Sequence, residues 1–430
     1  SAVYQQGAWV VKWKWKSEPV GLGGYVPNYK VKEGIREEFE EKVGQWIRNG
    51  WLKPYTGPVK AVITLMAVEQ PRKKKVRPVL DFRKLNEHVR SYTGDSNVCD
   101  DKIRSWRSCG ENAKMLDLQD AYLQLRVDPS LWAYQVVHFK GRVYCLTRLG
   151  FGLNCAPRIM THVLRKVLGL DPQVAEATDS YVDDILVRED VVSAAQVSEH
   201  LEKFGLLAKP PQPIAESRVL GLQLYRGSAG LLWRRGNEVP GGGEEELSRS
   251  EFFSVCGRLV GHYPVCGWLR THCSFAKRMC KGAAWNDKVG CEAMNLLRKI
   301  LHEVSSSDPV GGKWLVQQRR ECTVWCDASS LAIGVVLEES GECIEDGSWL
   351  RKVDDGAHIN LAELEAAIRG LNLALKWKFE EIRLCTDSAT VHGWLTSALT
   401  DSHRPKIYGL SEMLVRRRLM LVKEMKKEYN

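Results

Sequence analysis

Two spacings of apolar residues alternate along this chain. In residues 31–53, VKEGIREEFEEKVGQWIRNGWLK, the residues Ile35, Phe39, Val43, Trp46 and Ile47 fall at helical intervals, and Gly50 suits the end of a helix. VITLMAVEQ (62–70) is strand-like, PRKKKVR (71–77) is a basic turn, and the chain returns through VRPVLDFRKLN (76–86). Residues 112–127 predict a strand, then a turn or short helix at Asp120 to Tyr122. Residues 134–146 alternate as a hairpin about Lys140 and Gly141. A helix is predicted over 156–168, with Pro157 near its start, then a hairpin over 180–188 and a helix through 191–205. KPPQP (209–213) predicts a hinge before a strand pair at 218–235. PGGG (240–243) is the clearest linker, and 244–306 is helical. After a second turn cluster, SSSDPVGG (305–312), strands are predicted at 322–327, 331–337 and 381–386, with helices at 361–376, 388–397 and 410–428. No internal repeat is present. The pattern is that of an α/β and α+β multidomain chain, with length for two to four domains.

One stretch breaks the pattern. SYVDDILV (180–187) puts two adjacent carboxylates, Asp183 and Asp184, inside an apolar, strand-forming run. A tight turn accounts for them, since Asp is a favoured turn residue; so does a cation. Asp117, in KMLDLQDAYLQL, follows another short apolar run and precedes a turn, where strand ends present ligand-facing groups. Three carboxylates converging would repel unless a divalent ion bound them. All-oxygen ligands select magnesium or manganese. Two ions about 4 Å apart suit phosphoryl or nucleotidyl transfer.

A second set of acids follows the turn cluster. Asp327 lies on the strand in TVWCDASS, Glu363 near the start of a helix in INLAELEAA, and Asp387 at a strand end in RLCTDSA. Glu365, two residues after Glu363, must point elsewhere. The ordered trio is again an all-oxygen, two-metal pattern.

Composition adds little. The chain of 430 residues is 44 % hydrophobic and 27 % charged, as in an ordinary globular protein. A net charge of +9 leans toward a polyanionic partner. No apolar run approaches the ~20 residues of a membrane span, so no membrane contact is expected. The start, SAVYQQGAWVVKWKWKSEP, has neither Met nor a signal-peptide pattern, which suggests a piece of something longer. Its Trp/Lys alternation predicts an edge strand with Trp packed and Lys outside, with a basic and aromatic nucleic-acid contact as the alternative. Thirteen cysteines without disulfide or zinc spacing predict reduced, buried thiols.

YVDD with the upstream LDLQDAY, RPVLDFRKLN and LGFGLNCAP resembles the reverse-transcriptase domain of retroviruses and LTR retrotransposons. The resemblance implies a right-hand polymerase of fingers, palm and thumb, with Asp117, Asp183 and Asp184 holding the metals. It implies Tyr122 as the aromatic gate against the ribose 2′-OH and Arg77 as the cation facing the triphosphate. Phe151 would line the nucleotide pocket and Val182 would touch the primer end. VLGLQLYRG (219–227) is similar to the primer grip and EFFSVCGRLVGHYPV (251–265) to the first thumb helix and turn. The family's Lys just before the Arg77 position is missing; basic residues come instead at Arg72 to Lys75, and Lys209 sits in a Pro-rich stretch that spoils its alignment. Asp327, Glu363 and Asp387 resemble the ribonuclease H trio, which would cut the RNA strand of an RNA–DNA hybrid. The short interval between the two sets resembles the gypsy-like class.

The implied domains are an N-terminal extension (1–30), fingers and palm (31–239), thumb (240–306), a linker (307–321) and a ribonuclease H-like α/β domain (322–430). The family's fourth nuclease acid is not reached, and Asp401 and His403 do not match it. Weak or absent RNA cleavage is therefore expected, with manganese the ion to restore it. A cleavage rate equal to that of a chain extended to a fourth acid would overturn this. Implied cofactors are Mg2+ or Mn2+, two per centre. Implied partners are an RNA or DNA template with primer, an RNA–DNA hybrid and dNTPs, in cytoplasmic virus-like particles, with monomer and homodimer both open. A non-catalytic structural subunit and an RNA-directed RNA polymerase are the alternatives. Three intact palm acids argue against the first; Tyr122 and the nuclease-like trio argue against the second.

Overall fold

Ile185, Leu186 and Val187 are each no more than 1 % exposed in the computed structural model. They form the strand Asp184–Arg188, and burial on both faces explains why its apolar run is continuous instead of alternating. The structure describes residues 1–430 apart from 71–74, 93–97, 242–245, 317–319, 354–357, 401–406, 408–411 and 430. Arg72 to Lys74, part of the PGGG linker, Asp401 and His403 thus lie outside the described residues.

The chain divides into two compact units, Ser1–Val98 with Asn112–Pro213, and Cys99–Glu111 with Ile214–Asn430. In the first unit an antiparallel sheet runs in the order Thr178–Tyr181, Asp184–Arg188, Ala113–Asp117, Gln212–Pro213. Helices Ala156–Leu168 and Ala194–Lys203 pack on it, burying Met160, Val163, Leu164, Val197 and Leu201. Ser193 and Gln196 close a capping box at the start of the second helix. The hairpin Val136–Phe139/Arg142–Leu146 turns at Lys140 and Gly141, both with positive φ, as a tight two-residue turn requires.

At the N-terminus Trp9 and Trp13 are buried and Lys12, Lys14 and Lys16 are exposed. Strand Ala8–Val11 pairs with Ala2–Gln5 and with Arg126–Val127. The expected helix over 31–53 spans Glu33–Arg48; Gly50, with φ of +68°, stops it, and Leu52–Pro54 is a strand. The expected hinge KPPQP is instead tied down. Gln212 and Pro213 pair with Met115 and Lys114 at the sheet edge, where proline's missing donor is tolerated.

In the second unit, helices Arg249–Val260, Leu269–Met279 and Cys291–Ser306 occupy the expected helical stretch. A sheet follows in the order Glu342–Leu350, Ala332–Glu339, Glu321–Ala328, Glu381–Cys385, antiparallel except for the last, parallel pair. Helix Ile359–Trp377 crosses over it so closely that a Cβ on Gly370 would lie 2.4 Å from Val324 Cγ1. Strand Glu342–Leu350, ECIEDGSWL, was not foreseen because its mixed charges and glycine hide the alternation. Nor was helix Val98–Trp106.

That helix and the residue after it are held by two arginines. Arg104 makes a two-pronged bond to Glu345, at 2.9 and 2.7 Å, and the Trp377 indole N–H donates to the same carboxylate at 2.7 Å. Arg107 is fully buried and faces the Trp377 ring at 5.1 Å. It donates to the carbonyls of Trp314, Ile344 and Lys313 at 2.9, 2.6 and 2.8 Å. Burial pushes its pKa down to about 10, yet it stays charged at neutral pH. Arg107→Ala strips three carbonyls of their donor, each loss worth about 1–3 kcal/mol. Urea unfolding followed by tryptophan fluorescence is expected to show a loss of ~3 kcal/mol or more, and Arg107→Lys a partial rescue, because an ammonium cannot span the three acceptors.

Candidate active sites

Carboxylates cannot sit in the buried middle of the first unit's sheet, so they gather where its strands end. Asp117 is the last residue of Ala113–Asp117 and Asp184 the first of Asp184–Arg188, and the two are directly paired across the strands. Asp183 lies with Val182 in the two-residue turn between Tyr181 and Asp184. Val182 has φ of +55°, a conformation this kind of turn reserves for glycine. For a β-branched residue it costs ~1–3 kcal/mol, and such strain concentrates at functional sites.

Asp117 and Asp183 line a cleft of about 480 Å3 together with Arg77, Tyr122, Phe151 and Lys209. The guanidinium of Arg77 lies 4.1 Å from the centre of the Phe151 ring, and that ring lies 5.7 Å from Tyr122. Lys209 Nζ donates to Asp117 Oδ2 at 2.5 Å, and the Lys209 N–H to the Asp117 carbonyl at 2.8 Å. Burial, and then the charge of Asp117, push the Asp183 carboxyl above its ordinary range, opposed by its backbone hydrogen bond, Lys209 and Arg77. Burial, and then Asp183, push the Tyr122 phenol up to about 12, so it stays a neutral hydroxyl. Val182 and Asp184 are not among the lining residues. Lys75, the one described member of the Arg72 to Lys75 run, is, and so is Lys42 from helix Glu33–Arg48. Lys42 was missed because it lies on the polar face of a helix taken as scaffold.

In the second unit Asp327 lies near the end of Glu321–Ala328, Glu363 in the early turns of Ile359–Trp377, and Asp387 just past Glu381–Cys385. The parallel pairing of Trp325 with Cys385 brings the two strand ends level. One oxygen from each of the three acids lies within 4.8 Å of the others, the only such group among the described residues. Asp117, Asp183 and Asp184 do not close to that distance, and Lys209 already holds Asp117. Glu365 points away, as expected, to Arg369 and Arg418. Glu363 is 6 % exposed; burial, then Asp327 and Asp387, raise its pKa, against a bond from the Ala328 N–H. Its Oε2 is buried with no hydrogen-bond partner. An orphaned carboxylate oxygen beside two further carboxylates fits a hard divalent cation. Asp327 and Asp387 also line a cleft of about 550 Å3 with Trp325, Gly334 and Gly347.

Two family models match the chain: a domain of unknown function over residues 248–306, and one described as reverse transcriptase-like over 322–414. The Gag-Pol polyproteins of gibbon ape leukemia virus and of koala retrovirus are each 28 % identical over 211 residues, covering 46 % of this chain and 12 % of theirs. The retrovirus-related Pol polyprotein from transposon opus of Drosophila melanogaster is 27 % identical over 172 residues, 38 % of this chain and 16 % of that one. The chain thus spans a small part of the length of these relatives. Among solved structures, the foamy viral protease-reverse transcriptase in complex with double-stranded DNA shares the fold, with a TM-score of 0.67 at 16 % identity over 95 % of this chain and 72 % of that one. The chain is therefore related to the pol polyproteins of retroviruses and retrotransposons. Its residues 322–414 form a ribonuclease H-like domain.

A raised carboxyl pKa has a consequence for stability. The Glu363 carboxyl favours the folded state fully only below its unfolded pKa of about 4.3, and that contribution is lost as pH rises through the higher folded value. Without metal, Glu363→Gln is expected to melt higher than wild type at pH 7 and to lose that advantage below about pH 4. Millimolar Mn2+ is expected to raise the wild-type melting temperature and leave the variant's nearly unchanged; thermal melts in the two conditions check both.

Proposed function

We propose that the first unit carries a DNA polymerase site that copies RNA or DNA templates, and that the second carries a ribonuclease H site, as in an LTR retroelement of the gypsy-like class. The supporting observation is that Asp117, Asp183, Arg77, Tyr122 and Phe151, chosen by motif from four separate stretches, line one cleft. The polymerase domain of this reading is fingers, palm and thumb.

Mg2+ or Mn2+, two ions to a centre, would be held by Asp117 and Asp183, with Asp184 the least direct ligand, and in the nuclease by Asp327, Glu363 and Asp387. Bound there, such ions lower the pKa of an attacking hydroxyl and stabilise the leaving oxygen. The protein's own side chains do the rest. Arg77 and Lys209 place positive charge where a triphosphate would enter. Tyr122, packed against Phe151, stands as a wall where a ribose 2′-OH would project. Val182, in its strained turn just before the two carboxylates, would touch the primer end. In the nuclease, Glu363 is held by the Ala328 N–H while Asp327 and Asp387 face the open cleft. Template-primer would bind largely through phosphates, with the salt dependence that follows; the foamy viral relative was solved with double-stranded DNA. Cytoplasmic virus-like particles are the setting such pol proteins suggest.

Primer extension on an RNA template with dNTPs and Mg2+ or Mn2+ tests the reading. Extension by the wild type and at least 10³-fold less by Asp183→Asn is expected. No extension by either, with template-primer still bound, would replace the polymerase by a structural subunit. Tyr122→Ala is expected to admit ribonucleotides; unchanged discrimination in single-nucleotide incorporation would remove the gate.

A further inference from the structure

We propose that Lys14, Arg90, Tyr92, Arg158 and His162 form a binding site for single-stranded nucleic acid on the first unit. The proposal rests on the polymerase reading for the reason such a strand would be there. The packing of the N-terminal segment uses only half of its Trp/Lys alternation. Trp9 and Trp13 go into the core, while the lysines remain outside. Lys12 is paired with Asp128 at 3.2 Å and is spoken for. Lys14 is different. Its carbonyl accepts the Arg90 N–H at 2.9 Å, and the neighbouring Trp15 bridges Val89, so Lys14 is fixed beside Arg90 and Tyr92.

Tyr92 is 39 % exposed. The Arg158 guanidinium lies 3.8 Å from its ring centre and that of Arg90 5.7 Å. Lys14, Tyr92, Arg158 and His162 line a common cleft of about 200 Å3. From Arg158 the helix Ala156–Leu168 continues with exposed His162, Arg165 and Lys166, one face at i, i+4, i+7 and i+8. These span ~12 Å along the axis. The helix contains no Asp or Glu. Lys14, Arg90, Arg158, Arg165 and Lys166 form no ion pair among the described residues. An ordinary solvated face intersperses both signs, and a structural cluster pairs its cations. A track of uncompensated cations leading from an arginine laid on an exposed tyrosine does neither.

The chemistry that fits is a polyanion with flat, unstacked rings. A guanidinium held over an aromatic ring is itself a stacking surface, and bases stack on such planes in single strands. The lysine and the helix cations supply the phosphate contacts. In a duplex the bases are closed against one another and could not use the platform, so the strand is single.

The test measures binding, not synthesis. The full chain is titrated into fluorescently labelled oligo-dU and oligo-rU 12-mers and a blunt RNA–DNA hybrid, between 50 and 300 mM salt. For Arg90→Ala/Arg158→Ala, single-strand affinity is expected to fall tenfold or more. Its log–log salt slope should flatten by about 1.4, two phosphate contacts at ~0.7 each. Hybrid affinity should stay within twofold. Tyr92→Leu should weaken single-strand binding about tenfold, as loss of stacking does, without moving the slope. Unchanged single-strand affinity and slope in the double variant would overturn the site. So would an equal loss on the hybrid, which would mark a duplex contact. In both of those cases wild-type binding leaves the polymerase reading standing; a wild type that binds none of the three would sink both.

Discussion

Carboxylates that repel one another share a site only where the surrounding fold leaves them no alternative. In the first unit the register supplies the constraint, because pairing Ile185 with Leu116 and Leu186 with Met115 forces Asp184 opposite Asp117. A slip of one residue would relieve the acids but would break the close packing of the buried Ile185, Leu186 and Val187 against their neighbours on both faces. In the second unit the close helix crossing at Gly370 supplies it. With no Cβ there, helix Ile359–Trp377 sits down on the sheet and brings Glu363 to the ends of two strands. In both centres the packing energy of apolar neighbours holds the acids in an unfavourable grouping, and burial, with the neighbouring carboxylates behind it, raises the pKa of Asp183 and of Glu363.

The two centres meet that repulsion differently. At Asp117 a lysine already provides the counter-charge, and that lysine lines the same cleft as Arg77. At Glu363 no cation among the described residues pairs with the carboxylate, and one oxygen is left without a donor. The first arrangement is a balanced site that a ligand must rearrange; the second is an unbalanced one that a ligand would complete.

Much of this was legible in advance because the signals were local. The helix at 156–168, the hairpin about Lys140 and Gly141, and the turn at Val182 and Asp183 each follow from short patterns of apolar residues and turn formers. Motif order also pointed to residues that one cleft unites, although their separation in the chain gives no hint of distance. What escaped notice was nonlocal. Strand Glu342–Leu350 exists because Ala332–Glu339 offers it an edge, not because ECIEDGSWL alternates. Helix Val98–Trp106 and the residue after it carry two arginines, Arg104 and Arg107, that look like surface charge until Glu345 and three carbonyls are placed around them. The Pro-rich stretch at 209–213 looked like a hinge because its prolines are visible and its edge-strand partners are not.

The membership of Cys99–Glu111 has a topological corollary. The residues on either side of it belong to the first unit, while it belongs to the second, so the backbone passes from one unit to the other at three places. No single cut of the chain separates them. A fragment ending at Pro213 would keep an Arg107 that had lost all three of its acceptors. A fragment starting at Ile214 would keep those acceptors and a Glu345 without its arginine. The two units are interleaved parts of one folding problem, and a gene encoding them cannot be divided between them as beads on a string are.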